Sequence, residues 1–92
     1  MSKKTEKRCR KIFELKADGA KSVAIVGDFN DWNEKKHVMK KNGNGLWRKT
    51  LQLSPGTYEY KFIVDGEWVN DPQNDNHRAN SFGSRNNIIQ IQ

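Results

Sequence analysis

Apolar and polar residues alternate along this chain in short runs separated by turn-forming clusters, and no segment of helical length sustains a 3.6-residue period. Ile12-Phe13-Glu14-Leu15-Lys16-Ala17 alternates and stops at Asp18-Gly19. Ser22-Val23-Ala24-Ile25-Val26 is a β-branched run of the buried-strand type. After a short segment around Val38 and Met39, Asn42-Gly43-Asn44-Gly45 is a hairpin signal leading into Leu46–Leu53, in which Trp47, Leu51 and Leu53 share one face with the stem of Lys49. That parity makes Trp47 a core residue. Between the second and third runs, Gly27-Asp28-Phe29-Asn30-Asp31-Trp32-Asn33 reads as a loop carrying two aromatics, with Phe29 as its anchor.

The pattern is most informative from Tyr58 to Asn70. Ser54-Pro55-Gly56 is a turn, and the strand leaving it meets a second turn at Asp65-Gly66, whose two residues fix a hairpin register: Val64 opposite Glu67, Ile63 opposite Trp68, Phe62 opposite Val69 and Lys61 opposite Asn70. Strand periodicity then puts Tyr58, Tyr60, Phe62, Val64 and Val69 on a core face, and Glu59, Lys61, Ile63, Trp68 and Asn70 on a face expected to meet solvent. An exposed indole beside a lysine and an asparagine marks a binding patch. Residues 71–87 read as a long polar loop, of a length that is often functional, and Asn87–Gln92 as a closing strand with Ile89 and Ile91 on one face. Short strands with frequent turns in about a hundred residues imply an all-β fold, an immunoglobulin-like antiparallel β-sandwich, with an open five- or six-stranded barrel as the alternative.

Composition refines this picture. Ninety-two residues suit one domain with a small core, and the nine aromatics give large burial per side chain despite a hydrophobic fraction of 34%. The net charge of +6 is uneven: residues 1–11 hold six of the 17 basic and one of the 11 acidic side chains, a balance of +5, and the rest of the chain carries +1. Residues 1–9 therefore read as a flexible basic tail preceding a domain over residues 10–92, and the domain itself has no large basic field. Cys9 is the only cysteine, so no internal disulfide can form. With no apolar run of membrane-spanning length and no signal-peptide pattern, a cytoplasmic location is expected.

The chemistry of catalysis is not assembled here. His37 and His77 lie in polar surroundings with no Ser/His/Asp or Cys/His pairing, and the carboxylates Asp65, Glu67, Asp71 and Asp75 sit in turns, where they are usually solvated. One cysteine and two distant histidines lack metal-ligand spacing, and Asp71, Asn74, Asp75 and Asn76 do not follow a calcium-loop pattern. A non-enzymatic domain without metal or cofactor is the expectation.

Four motifs, in order, carry a family resemblance: Val26-Gly27-Asp28-Phe29-Asn30-Asp31-Trp32; Tyr58-Glu59-Tyr60-Lys61-Phe62; Val64-Asp65-Gly66-Glu67-Trp68 with Asp71-Pro72; and Gly83 followed by Asn86-Asn87-Ile88-Ile89. Over roughly residues 10–92 the chain resembles carbohydrate-binding module family 48, including the glycogen-binding domain of the AMP-activated kinase β subunit and the N-terminal domain of isoamylases and branching enzymes. The resemblance implies an immunoglobulin-like sandwich of the early-set type that binds α-1,4-linked glucans such as glycogen, starch and maltooligosaccharides. By motif position it implies that Trp32 and Trp68 stack on sugar rings and that Lys61 and Asn86 bind hydroxyls. Phe82 stands where the family usually projects an aliphatic residue into the curved glucan, and Arg85 replaces a typically apolar residue. If the domain is instead a protein-interaction module, a kinase, a glucan-active enzyme or a second copy of the chain is the expected partner.

These residue types suit a pyranose, which offers an apolar C–H face to a flat aromatic and a hydroxyl rim to donors and acceptors. Two readings of other classes compete with glucan binding. One is a β-domain binding nucleic acid through stacking aromatics and the basic tail, whose affinity would fall steeply with salt. The other is a protein-interaction module that uses an exposed strand edge and has kept the fold without sugar affinity.

Overall fold

The computed structural model describes residues 8–92, which form eight strands: β1 (Cys9–Lys16), β2 (Val23–Gly27), β3 (Lys40–Lys41), β4 (Leu46–Leu53), β5 (Gly56–Val64), β6 (Glu67–Val69), β7 (His77–Ala79) and β8 (Arg85–Ile91). One sheet has the order β1-β4-β3. The other runs β2-β5-β8-β7, with β6 also paired to β5. All pairings are antiparallel, and the two sheets pack face to face as a β-sandwich. Most of the basic tail expected over residues 1–9 lies outside the described residues; Cys9 belongs to β1 and pairs with Leu53.

The core follows strand parity. Phe13 and Leu15 from β1, Trp47, Leu51 and Leu53 from β4, Val23 and Ile25 from β2, Tyr60 and Phe62 from β5, and Ile91 from β8 form one buried cluster with Met39. Trp47 is core, as its parity required, and its indole N–H donates to Ala17 O at 3.0 Å, so the one polar atom of the ring is satisfied. Phe13 and Tyr60 meet edge to face with centroids 5.1 Å apart. Phe29 packs against Phe13 and Tyr58, anchoring its loop to the core.

The Asp65-Gly66 hairpin holds the expected register at Val64–Glu67, Ile63–Trp68 and Phe62–Val69, and pairing ends there, short of Asn70. Both turn residues have positive φ, 49° for Asp65 and 86° for Gly66, which is the left-handed geometry that a two-residue hairpin turn demands. The Asp65 carboxylate accepts from the Ser22 and Lys21 backbone N–H groups, each at 2.8 Å, and these bonds hold its pKa below the usual value. The turn is thereby tied to the start of β2.

Two expectations need correction. Residues 71–87 are not one loop, because β7 lies within them and β8 begins at Arg85 rather than Asn87. All three residues of β7 are exposed, so this edge strand is held by backbone pairing to β8 and has no burial pattern to read. Nor is the second face of β5 open along its whole length: Glu59 is half-buried and Trp68 of β6 stays exposed, while Ile63 and Lys61 are buried, Lys61 to 6% exposure. β2 flanks them, with Ala24 opposite Ile63 and Val26 opposite Lys61, and the loop carrying Ser84 reaches the Lys61 ammonium.

The segment from Asn70 to Asn76 is fixed by side-chain amides. Asn87, fully buried, accepts from the Asp71 N–H at 2.7 Å and donates to Asn74 O at 3.0 Å, while the Tyr60 hydroxyl donates to Asp71 Oδ2 at 2.7 Å and accepts from Asn74 Nδ2 at 3.0 Å. Burial and the neighbouring carboxylate raise the Tyr60 pKa, so the phenol stays protonated as donor. Tyr60→Phe leaves the buried Asp71 oxygen without that donor and should cost about 1–3 kcal/mol. Urea unfolding should show a lower midpoint at unchanged slope.

Candidate functional site

On the outer face of the five-stranded sheet, an open cleft of ≈ 960 Å³ is lined by all five residues singled out from the sequence: Trp32, Lys61, Trp68, Phe82 and Asn86. They come from four separate segments. Trp32 sits on the loop after β2, Lys61 on β5, Trp68 on β6, and Phe82 and Asn86 on the β7–β8 hairpin. Trp32 and Trp68 lie with ring centroids 6.2 Å apart and planes inclined by 46°, forming a bent aromatic platform. Trp68 is 55% exposed, which is the half-open state expected of a stacking surface rather than of core.

The Trp32 loop is built for position. Gly27 admits no side chain, since a Cβ there would stand 2.5 Å from Glu59 O and 2.8 Å from the Tyr60 Cβ, so the loop can leave the sheet in close contact with β5. A single 3-10 turn over Asp28–Asn30 follows, and Asp31 and Trp32 both take left-handed backbone angles, φ 58° each. Buried Asn30 holds this geometry: its Oδ1 accepts from the Gly27 N–H at 3.0 Å, and its Nδ2 donates to Ile25 O at 3.0 Å and to His37 Nδ1 at 2.8 Å. Asp28 then orients the indole. Its Oδ1 accepts from Trp32 Nε1 at 3.1 Å and its Oδ2 from the Glu59 N–H at 2.8 Å, welding the ring's polar edge to β5.

The polar side of the cleft is equally connected. The Lys61 ammonium donates to Ser84 Oγ at 3.2 Å and lies 5.9 Å from the Trp68 ring centre, close enough for a cation–π contribution. Asn86 donates to Glu59 Oε1 at 3.0 Å and accepts from Asn80 Nδ2 at the same distance, while Arg78 pairs with Glu59 Oε2 at 3.0 Å. Asn80 closes the hairpin loop, its Oδ1 accepting from the N–H groups of Phe82 and Ser84. That bracing raises Phe82 to the tip with its ring 91% exposed. Pattern reasoning missed Asp28, Glu59, Asn80 and Ser84 as site residues. Asp28 stands four residues before Trp32 and Glu59 was already on the right face of β5, so both carried a signal. Asn80 and Ser84 did not, because a polar residue in a polar loop has no distinguishing pattern.

Among the described residues, no group of three or more His, Cys, Asp or Glu side chains is placed to hold a metal ion, and no helix is long and apolar enough to cross a membrane. What the cleft offers is a bent apolar platform rimmed by amides, a hydroxyl, an ammonium and carboxylates, the surface of a carbohydrate-binding module. The family described as the glycogen recognition site of AMP-activated protein kinase matches residues 11–92, and the chain belongs to it. It is 40% identical over 74 residues to protein PTST homolog 2, chloroplastic, of Arabidopsis thaliana, covering 80% of this chain and 13% of that protein. It is 36% identical over 75 residues to 5′-AMP-activated protein kinase subunit beta-2 of Homo sapiens, 82% of this chain and 26% of that one, and 37% identical over 73 residues to subunit beta-1 of Sus scrofa, 79% and 57%. The chain thus matches one part of these longer relatives.

His37 gives the Trp32 loop a pH response. Its Nδ1 accepts from Asn30, and burial, then the charges of Lys49 and Lys36, lower its pKa from the ordinary 6.5. The unfolded chain therefore binds the proton more tightly than the folded one. Stability should be complete above pH 6.5 and decline as pH falls through the window between 6.5 and the lower folded value. Thermal melts of wild type should show this limb before the carboxylates titrate, and His37→Gln should flatten it.

Proposed function

We propose that the domain is a non-catalytic module that binds α-1,4-linked glucans, such as glycogen, starch and maltooligosaccharides, in the cleft of Trp32 and Trp68. The observation carrying this reading is the convergence of the two inclined indoles with Lys61, Phe82 and Asn86 on one open face of a family member. A helical α-glucan presents successive rings at an angle to one another, which a bent platform accommodates and a flat one does not. In this reading Trp32 and Trp68 stack on adjacent rings, Lys61 donates to hydroxyls, Asn86 both donates and accepts, and Phe82 reaches over the chain from the hairpin tip. Each hydrogen bond competes with water and contributes only about 0.5–1.5 kcal/mol. Affinity for a short oligosaccharide is therefore modest, in the micromolar to millimolar range of about 8 to 4 kcal/mol.

The names of the relatives suggest a larger setting. We infer association with a kinase complex, in which this domain is the glucan-directed part. A reducing compartment such as the cytoplasm suits the single exposed thiol of Cys9.

Native electrophoresis through gels with and without glycogen tests the proposal. Wild type should be retarded by glycogen at low and high salt alike, and Trp32→Ala and Trp68→Ala should each weaken binding by about tenfold or more, since covering an aromatic ring contributes about 1.5–3 kcal/mol. Unchanged migration of folded wild type would overturn it. Retardation by nucleic acid that salt abolishes would support the phosphate-binding reading instead.

A further inference from the structure

β1 is the outer strand of its sheet, paired with β4 along all eight residues, and among the described residues no strand covers its other side. It contains no proline, glycine or bulge, so its outward N–H and C=O groups form a regular, unpaired row, which is a template for another strand. The second sheet does not block this edge, because a groove of ≈ 440 Å³ lies between β1 and Ile88, Ile89 and Gln90 of β8. The defence that remains is charge, and whether Arg10, Glu14 and Lys16 repel or attract depends on what they face.

A second copy of the chain supplies a matching strand. Pairing about a two-fold axis makes the contact reciprocal, and residues directly opposite must lie on the same face of the sheet, so the axis falls on a residue rather than between two. Centring on Arg10, Lys11 or Glu14 opposes each to its own like charge, and centring on Phe13 sets Arg10 against Lys16. Centring on Ile12 opposes Ile12 to itself and Arg10 to Glu14 twice over. Ile12 is 46% exposed, a large apolar side chain that this contact would cover. Glu14 is ready for a second cation, because both of its bonds from Arg48 end on Oε2 and leave Oε1 to accept from Arg10 of the second copy.

We propose that β1 is a self-association edge: two copies pair antiparallel through β1 about an axis at Ile12, joining their three-stranded sheets into one of six strands. Arg8 faces Lys16 at each end, so attraction is confined to the middle of the strand. A single strand pair also buries less than a standard interface, and the dimer is accordingly weak and concentration-dependent. The cleft of Trp32 and Trp68 is on the other sheet and stays open in both copies. If the glucan reading above holds, the dimer is bivalent and gains avidity on a polymer with many chain ends.

Disulfide trapping in a Cys9→Ser background reads the register directly. Directly opposed Cα atoms lie about 4.5–5.5 Å apart, within disulfide reach. Ile12→Cys should therefore oxidise rapidly to a covalent dimer, while Lys16→Cys on the same face should not. Sedimentation velocity of Cys9→Ser alone should show concentration-dependent dimerisation, lost in Arg10→Glu, which sets like charges against Glu14, and kept in Arg10→Lys. Wild-type-like melting of Arg10→Glu would confirm that it folds. A monomer at every concentration, or equal cross-linking at positions 12 and 16, would overturn the proposal. No glucan is present in these assays, so a failure of sugar binding leaves their outcome unaffected, and glycogen retardation of monomeric Arg10→Glu tests that reading separately.

Discussion

The register of β5 is the constraint on which everything else depends. Gly56–Val64 pairs with β2 on one side and with β8 and then β6 on the other, so its alternation of faces is fixed from three neighbours and by the Asp65-Gly66 turn at its end. Tyr60 and Phe62 point into the core, while Glu59 and Lys61 line the cleft. A slip of one residue would bury Lys61 among aromatics and put Tyr60 in the cleft, reversing core and site together. Core packing therefore holds the cleft-lining face in register.

The cleft is then finished by side chains that replace backbone pairing where the sheet stops. Asn30 and Asp28 shape the Trp32 loop, Asn80 braces the β7–β8 hairpin, and Asn87 ties Asp71 and Asn74 to β8. Each such bond is worth about 1 kcal/mol net, yet all are made before any ligand arrives. The ordering cost of the aromatic platform is thus met in folding, and no loop closure is needed to assemble it. The adjacent amides Asn86 and Asn87 show the economy of strand parity: one faces the cleft, its neighbour the interior.

Much of this was legible in the sequence because period-two patterns and turn chemistry are local. The hairpin register, the core position of Trp47 and the anchoring of Phe29 all follow from residues within a few positions of one another. β7 was not legible, since an edge strand of three exposed residues has no apolar face. The burial of Lys61 was also hidden: parity assigned its face, but its cross-strand neighbour Val26 and its hydrogen-bond partner Ser84 are both distant in sequence. The family resemblance supplied Trp32 and Asn86, which parity could not reach. It gave no indication of how Asp28 fixes the indole or of the open edge of β1.

The central claim is that one preformed aromatic cleft receives an α-glucan, and an NMR titration of the ¹⁵N-labelled domain with maltoheptaose tests it most directly. The indole N–H signals of Trp32 and Trp68 and the side-chain amides of Asn80 and Asn86 should shift together in a saturable way, while the Trp47 indole, bonded to Ala17 O in the core, stays in place. Cellohexaose, whose extended chain does not match the inclined rings, should leave all of them unmoved. Shifts confined to another face, or none at saturating maltoheptaose in a folded protein, would contradict the account.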